Sequence, residues 1–158
     1  MREPLSALTY VSQSLLLQGL DQRRQFTAIL QSSRRNNSTL KISGALLFDD
    51  GIFLQVLEGP RTAVETVFET IQSDVRHTFV RHLGTEPISE RRFGRWTMAF
   101  VNPGEVGSSF VGSKLSELRV LENARAAKII DWMVDQLESA ERSVSNLTDL
   151  PGQDRLTR

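Results

Sequence analysis

Cysteine is absent from the 158 residues, which excludes a disulfide framework, a thiolate nucleophile and every zinc or iron–sulfur site built on Cys. Net charge is absent too: 19 Lys and Arg balance 19 Asp and Glu, so the electrostatic drive of a polybasic nucleic-acid or anionic-membrane binder is missing. No apolar run approaches the roughly 18 to 20 residues of a spanning helix, and the opening MREPLSALTYVSQ has too short an apolar part for a signal peptide. There is no G-x-G-x-x-G and no Walker loop, so a dinucleotide would not be held in the Rossmann manner. These absences set the expectation of a soluble, cytoplasmic protein with no membrane partner and no direct nucleic-acid binding. What the chain does have is 39% apolar residues, enough for one cored domain with an appendage.

Leu5 to Ser12 alternates as a strand, with Leu8, Tyr10 and Ser12 on one face and Ala7, Thr9 and Val11 on the other. Behind Asp21, an N-cap residue type, Phe26, Ile29, Leu30 and Ser33 recur at i, i+3, i+4, i+7, which predicts a helix ending near Asn36 and Asn37. Ile42 to Phe48 and Ile52 to Leu57 flank Asp49-Asp50-Gly51, a hairpin turn in which Gly supplies the positive φ. Thr62 to Glu65 matches the capping box before the stripe Val64, Val67, Phe68, Ile71, predicting a second helix that ends near Asp74. Phe79 to Ile88 and Trp96 to Val101 read as strands four and five around an Arg-rich stretch.

The order β-α-β-β-α-β-β predicts an α+β, ferredoxin-like sheet with two helices on one face. Pro103, Gly104, Gly107 and Gly112 then punctuate the chain. The expected organisation is a domain over 1–103, a linker over 104–112, a helical extension over 113–150 and a flexible tail over 151–158. In the extension, Ile130, Met133, Leu137, Ala140, Val144 and Leu147 step by three and four, and Leu115, Leu118 and Leu121 form a separate patch. One or two amphipathic helices are expected to cover the outer sheet face of Thr9, Val11, Ile52, Leu54, Val56, Thr97 and Ala99, unless another subunit does so.

On the inner face, alternation collects Leu8, Tyr10 and Ser12 with Phe53, Gln55 and Leu57, and with Trp96, Met98 and Phe100. A buried Gln must find partners, since unmatched polar groups cost about 1 to 3 kcal/mol. Gln55 and Tyr10 could bond each other or a trapped water, with Asn36 and Asn37 as a plain helix cap, or all four could meet a flat heteroaromatic ligand between the helices. The inner face offers no paired carboxylates and no Ser–His couple, so no enzymatic activity is expected. His77, His82 and Glu86 are too scattered for a metal, and none is expected. Arg76, Arg81, Arg91, Arg92 and Arg95 read as a solvated, salt-bridged edge.

The segments SRRNN, KISGALLFDDGIFLQVLEG, SDVRHT and RRFGRWTMAF resemble the BLUF domain, the family of blue-light receptors that use FAD. The similarity runs from about Leu5 to Val101, and F-L-Q-V-L-E-G lies at the family's distance from N-N, R-H and W-x-M. The resemblance implies that Tyr10 is the photochemical tyrosine and Gln55 the glutamine between it and the flavin. It implies that Asn37 and Asn36 hold the ring's polar edge, that Ile29 and Ile71 clamp its faces and that Phe53 lines its pocket. Ser33, Arg76 and His77 fall near the ring or its chain, and Trp96 and Met98 match the pair that exchange places near the glutamine. The stretch QSLLLQG after strand one is about three residues longer than is common in the family.

What the resemblance implies of mechanism is a light-driven electron and proton transfer from Tyr10, a rotation or tautomerisation of the Gln55 amide, and a reversible red-shifted state. Strand five, expected beside strand three, would pass the change to the C-terminal helices. The output is expected to reach a separate downstream regulator protein or a change of homo-oligomeric assembly, at least a dimer. The alternative is a flavin-free, ferredoxin-like interaction scaffold in which Tyr10 and Gln55 are core polar residues.

Overall fold

A computed structural model of the chain describes residues 3–16, 20–49, 51–101 and 123–148. Its elements are β1 Leu5–Ser14, α1 Leu20–Leu40, β2 Ser43–Asp49, β3 Ile52–Pro60, α2 Arg61–Gln72, β4 His77–Ile88, β5 Ala99–Val101 and α3 Asn123–Thr148. The strands form one five-stranded sheet in the order β4-β1-β3-β2-β5. All neighbours are antiparallel except β2 and β5, which are parallel. The first four strands with α1 and α2 make the ferredoxin-like split βαβ arrangement.

Alternation along β1 and β3 divides the core into two layers. Leu8, Tyr10, Phe53 and Leu57 cluster with Phe26 of α1 and with Val64 and Phe68 of α2. Val11, Leu54 and Val56 cluster on the opposite face with Ile129 and Met133 of α3. Burying a side chain such as Met133 contributes roughly 1.5 to 3 kcal/mol, so α3 relieves an apolar face that water would otherwise meet. The covering expected of the C-terminal region is thus made, within the described residues, by one helix. Residues 104–112, Leu115, Leu118, Leu121 and 151–158 lie outside the described residues.

Several local expectations are corrected. α1 runs on to Leu40 because its cap is not asparagine: Lys41 takes the left-handed position at φ 58. Its N–H bonds Ser38 O while Ile42 N bonds Asn37 O, a Schellman closure that leaves Asn36 and Asn37 inside the last turn. The capping box of α2 does not form, since Pro60 is the N-cap without a side-chain bond. Thr62 Oγ1 instead donates to Glu3 and Arg61 pairs with Glu65.

Strand five is also shorter than expected, three residues from Ala99, because the chain before it is held by other bonds. Asn37 Nδ2 takes the Thr97 carbonyl and Arg34 Nε takes the Met98 carbonyl. It lies beside β2 rather than β3, as it must, since β1 and β2 occupy both edges of β3. Outside a strand, alternation does not govern Trp96. Its ring meets Phe93 at a centroid distance of 6.4 Å and packs against the outer layer with α3, while Met98 belongs to the inner layer. Thr97, expected on the outer face, is exposed.

Candidate functional site

Tyr10 and Gln55 are direct partners in the β1–β3 register, and a cross-strand pair on one face brings its side chains together. The Tyr10 hydroxyl donates to Gln55 Oε1, and Gln55 Nε2 donates to Met98 Sδ at 3.3 Å. Tyr10 is 4% and Gln55 5% exposed, so these bonds are their means of escaping the desolvation cost. The amide is asymmetrically satisfied: its oxygen faces a strong donor, its NH2 a thioether, which is a weak acceptor. Turning the amide over gives up both bonds, the strong one from the phenol included, and gains one from Nε2 to the phenol oxygen, so the amide keeps its orientation as long as the phenol keeps its proton. Burial pushes the Tyr10 phenol well above its ordinary range, and the charge of Asp74 adds to the effect. The phenol is therefore held as a donor.

Above this pair a cavity of about 380 Å³ opens between α1 and α2. α1 contributes Ile29, Ser33, Asn36 and Asn37, and β3 contributes Phe53 and Gln55. Ile71 from α2 and Arg76 and His77 beyond it complete the residues anticipated from the sequence, with Tyr10 beneath. Ile29 and Ile71 offer apolar walls on the two helices, while Asn36, Asn37 and Gln55 offer amides. This volume and mixture, mostly apolar with a few convergent polar groups, fit a flat ring system with a hydrogen-bonding edge. Trp96 and Met98 do not line the cavity; Met98 meets its floor through the bond from Gln55.

The charged rim is paired. Arg76 holds both oxygens of Asp74, with Nε to Oδ1 at 2.9 Å and Nη2 to Oδ2 at 2.5 Å. Those bonds keep the Asp74 carboxyl below the usual range and raise the Arg76 guanidinium. His77 Nε2 lies 2.5 Å from the Ile71 carbonyl, which can only accept, so the proton sits on Nε2. His77 Nδ1 meets Ser12 Oγ at 2.8 Å, which ties the ring to β1 one alternation step from Tyr10.

Sequence reading missed Asp74, Ser32, Val67 and Thr70 in the cavity wall. Asp74 followed by Arg76 carried a signal, because an acid two residues before a base in a helix exit closes on it. Arg34, which fixes the Met98 carbonyl at 3.0 Å, gave none beyond its neighbours Arg35 and Asn36. Of the arginine cluster, Arg92 pairs with Asp131 and Arg95 with Glu141 of α3. Among the described residues, no group of acids and histidines is placed to hold a metal, and no helix is long and apolar enough to cross a membrane.

The family model "BLUF: Sensors of blue-light using FAD" matches residues 5–99. A photoactivated adenylate cyclase subunit beta of Euglena longa is 38% identical over 95 residues, 60% of this chain and 11% of that protein. The chain thus spans about a tenth of that relative. Among solved structures, that of BlrB, a BLUF protein in its dark state, superposes with a TM-score of 0.73 at 29% identity, over 86% of this chain and 99% of that one. Klebsiella pneumoniae BlrP1 with FMN and cyclic diGMP superposes with a TM-score of 0.62 at 29% identity, over 83% of this chain and 34% of that one.

Proposed function

The chain belongs to the BLUF family, sensors of blue light using FAD, and from that premise we propose that it is a blue-light photoreceptor with FAD held non-covalently in the α1–α2 cavity. The observation that carries this reading is the bond from Tyr10 to Gln55 at the cavity's floor. A bound flavin supplies the blue-light absorption and, once excited, an acceptor for one electron. Asn37 and Asn36 would hold the polar edge of its ring, Ile29 and Ile71 would take its two faces, and Phe53 lines the pocket. Ser33, Arg76 and His77 would lie near the ring or its chain.

With a flavin bound, Tyr10 would be the electron donor, and the loss would make its phenol a strong acid whose proton could leave along the existing bond to Gln55. Gln55 responds by rotation or tautomerisation, because an amide presents a donor at one end and an acceptor at the other. Return of the electron and proton to Tyr10 would leave no net redox change, while Gln55 would keep its new partners and so account for a red-shifted absorption. Dark relaxation restores the original bond. Met98, having lost its donor, carries the change toward β5.

Relatives such as the adenylate cyclase subunit combine a BLUF region with much more chain, which supports a downstream effector here. That effector is a separate regulator protein reached through the C-terminal helix, or a change in a homo-oligomer that is at least a dimer, and the BLUF region itself carries no enzymatic activity. Cofactor extraction and mass measurement distinguish FAD from FMN. Absorption spectra in the dark, after blue light and during recovery should show a flavin spectrum that moves to the red without bleaching and returns. A colourless protein that takes up no flavin would instead leave an interaction scaffold.

A further inference from the structure

Glu58 is the acid of β3, and it is only 1% exposed. It faces the layer away from Gln55. Its Oε1 accepts the backbone N–H of Arg92 at 2.9 Å and its Oε2 that of Phe93 at 2.9 Å, with the Ser43 hydroxyl at 3.2 Å. Charge-assisted bonds of this kind are roughly twice as strong as neutral ones. Arg91 closes the arrangement: Nη1 donates to Ser43 Oγ at 2.9 Å and to the Glu58 carbonyl at 3.0 Å, and Nη2 to the Lys41 carbonyl at 2.5 Å. Residues 91–93 are thereby fixed to β2, to β3 and to the cap of α1.

From that fixed root the chain runs directly to Met98, the side chain that Gln55 touches. Along the way Gly44 N bonds the Trp96 carbonyl at 3.1 Å. The same segment grips α3, since Phe93 packs in the cluster of Ile129 and Met133 while Arg92 and Arg95 pair with Asp131 and Glu141 at 2.6 Å each. Exposed ion pairs contribute little singly, so Phe93 is the main mechanical grip. One short segment therefore touches Gln55 at one end and α3 along its length, and its root is held by the Glu58 carboxylate at the Arg92 and Phe93 N–H groups and by the Arg91 side chain.

We propose that Glu58 is a positioning residue that anchors the 92–93 turn in dark and light alike, so that displacement of Met98 is passed to α3 instead of being absorbed by sliding of the loop. The proposal rests on the Tyr10–Gln55 photoreaction for its input and on Glu58 for its geometry. Glu58→Gln keeps the size but leaves one acceptor oxygen for two N–H groups and sets an NH2 against a backbone donor.

The test is amide hydrogen exchange on the flavin-loaded protein, in the dark and under continuous blue light, with absorption followed on the same sample. In the unsubstituted protein Arg92 and Phe93 should keep their protection within twofold while residues 129–137 change at least threefold in light. Light-driven loss of protection at Arg92 and Phe93 overturns the anchor, and this arm needs no variant, should Glu58→Gln fail to fold. Where Glu58→Gln folds, it should still form the red-shifted state, expose residues 129–137 at least threefold more in the dark and lose over half of their light response. Unchanged dark exchange of α3 in the variant defeats the anchor alone. A protein without any red-shifted state defeats the photochemical reading, and the coupling with it.

Discussion

Tyr10 and Gln55 stand opposite each other on adjacent strands, and the phenol of the one donates to the amide oxygen of the other at the floor of the cavity between α1 and α2. The reverse side of that amide is bonded to the Met98 thioether. A strong bond on one side and a weak one on the other make the pair stable in the dark and cheap to rearrange once Tyr10 is oxidised.

Tyr10→Phe removes the donor and leaves Gln55 Oε1 without its partner, at a cost of about 1 to 2 kcal/mol in stability. Flavin uptake should persist and the red-shifted state should not form. Chemical denaturation and light-minus-dark absorption on the same preparation check both halves.

Tyr10 is the chain's single tyrosine, so its ionisation can be read directly in the ultraviolet. Its folded phenol is held above the unfolded value of about 10 by burial, with Asp74 adding. The stability this gives is complete below about pH 10, because neither state has then lost the proton, and it falls as pH rises further and only the unfolded chain ionises. Phenolate absorbance should therefore appear together with loss of far-ultraviolet circular dichroism. Its appearance near pH 10 in a folded protein would contradict the enclosed phenol.

Met98 and Trp96 should respond differently. Met98→Leu deletes the weak acceptor that favours the dark amide, so the red-shifted state forms and its recovery slows several-fold, as loss of roughly 1 kcal/mol from the dark state's advantage implies. Trp96→Phe alters packing with Phe93 on the far layer and should leave the size of the red shift unchanged. Flash photolysis of the two variants separates these outcomes.

Met133 of α3 is fully enclosed in the outer layer. Met133→Ala should cost about 2 to 5 kcal/mol while leaving the dark flavin spectrum unaltered, because the cavity lies across the sheet. A changed spectrum at full occupancy would show that the outer layer shapes the cavity directly.

The apolar alternation of β1 and β3 and the stripe of α2 made most of the sheet and the cavity wall legible in the sequence, since burial on one face leaves a period that can be read. The residues that depart from periodicity were harder. Lys41 ends α1 in a left-handed conformation usually left to Gly, so nothing local in the sequence marks the stop, and Asn36 and Asn37 read from spacing as a plain cap. Residues 91–98 are held by Glu58, Asn37 and Arg34 through bonds to backbone. Such long-range bonds have no local signature, and the strand rule that puts Trp96 on the inner layer does not apply to a residue outside the strand. The Tyr10–Gln55 pairing depends on register, which alternation assigns to a face but not to a partner.

The measurement closest to the central claim is the light-minus-dark absorption spectrum of Gln55→Ala loaded with flavin, beside the unsubstituted protein. The account predicts that the unsubstituted protein shows a small, reversible red shift and that Gln55→Ala binds the flavin with none. A red shift of the same size and recovery in Gln55→Ala would contradict the assignment of the amide as the switch.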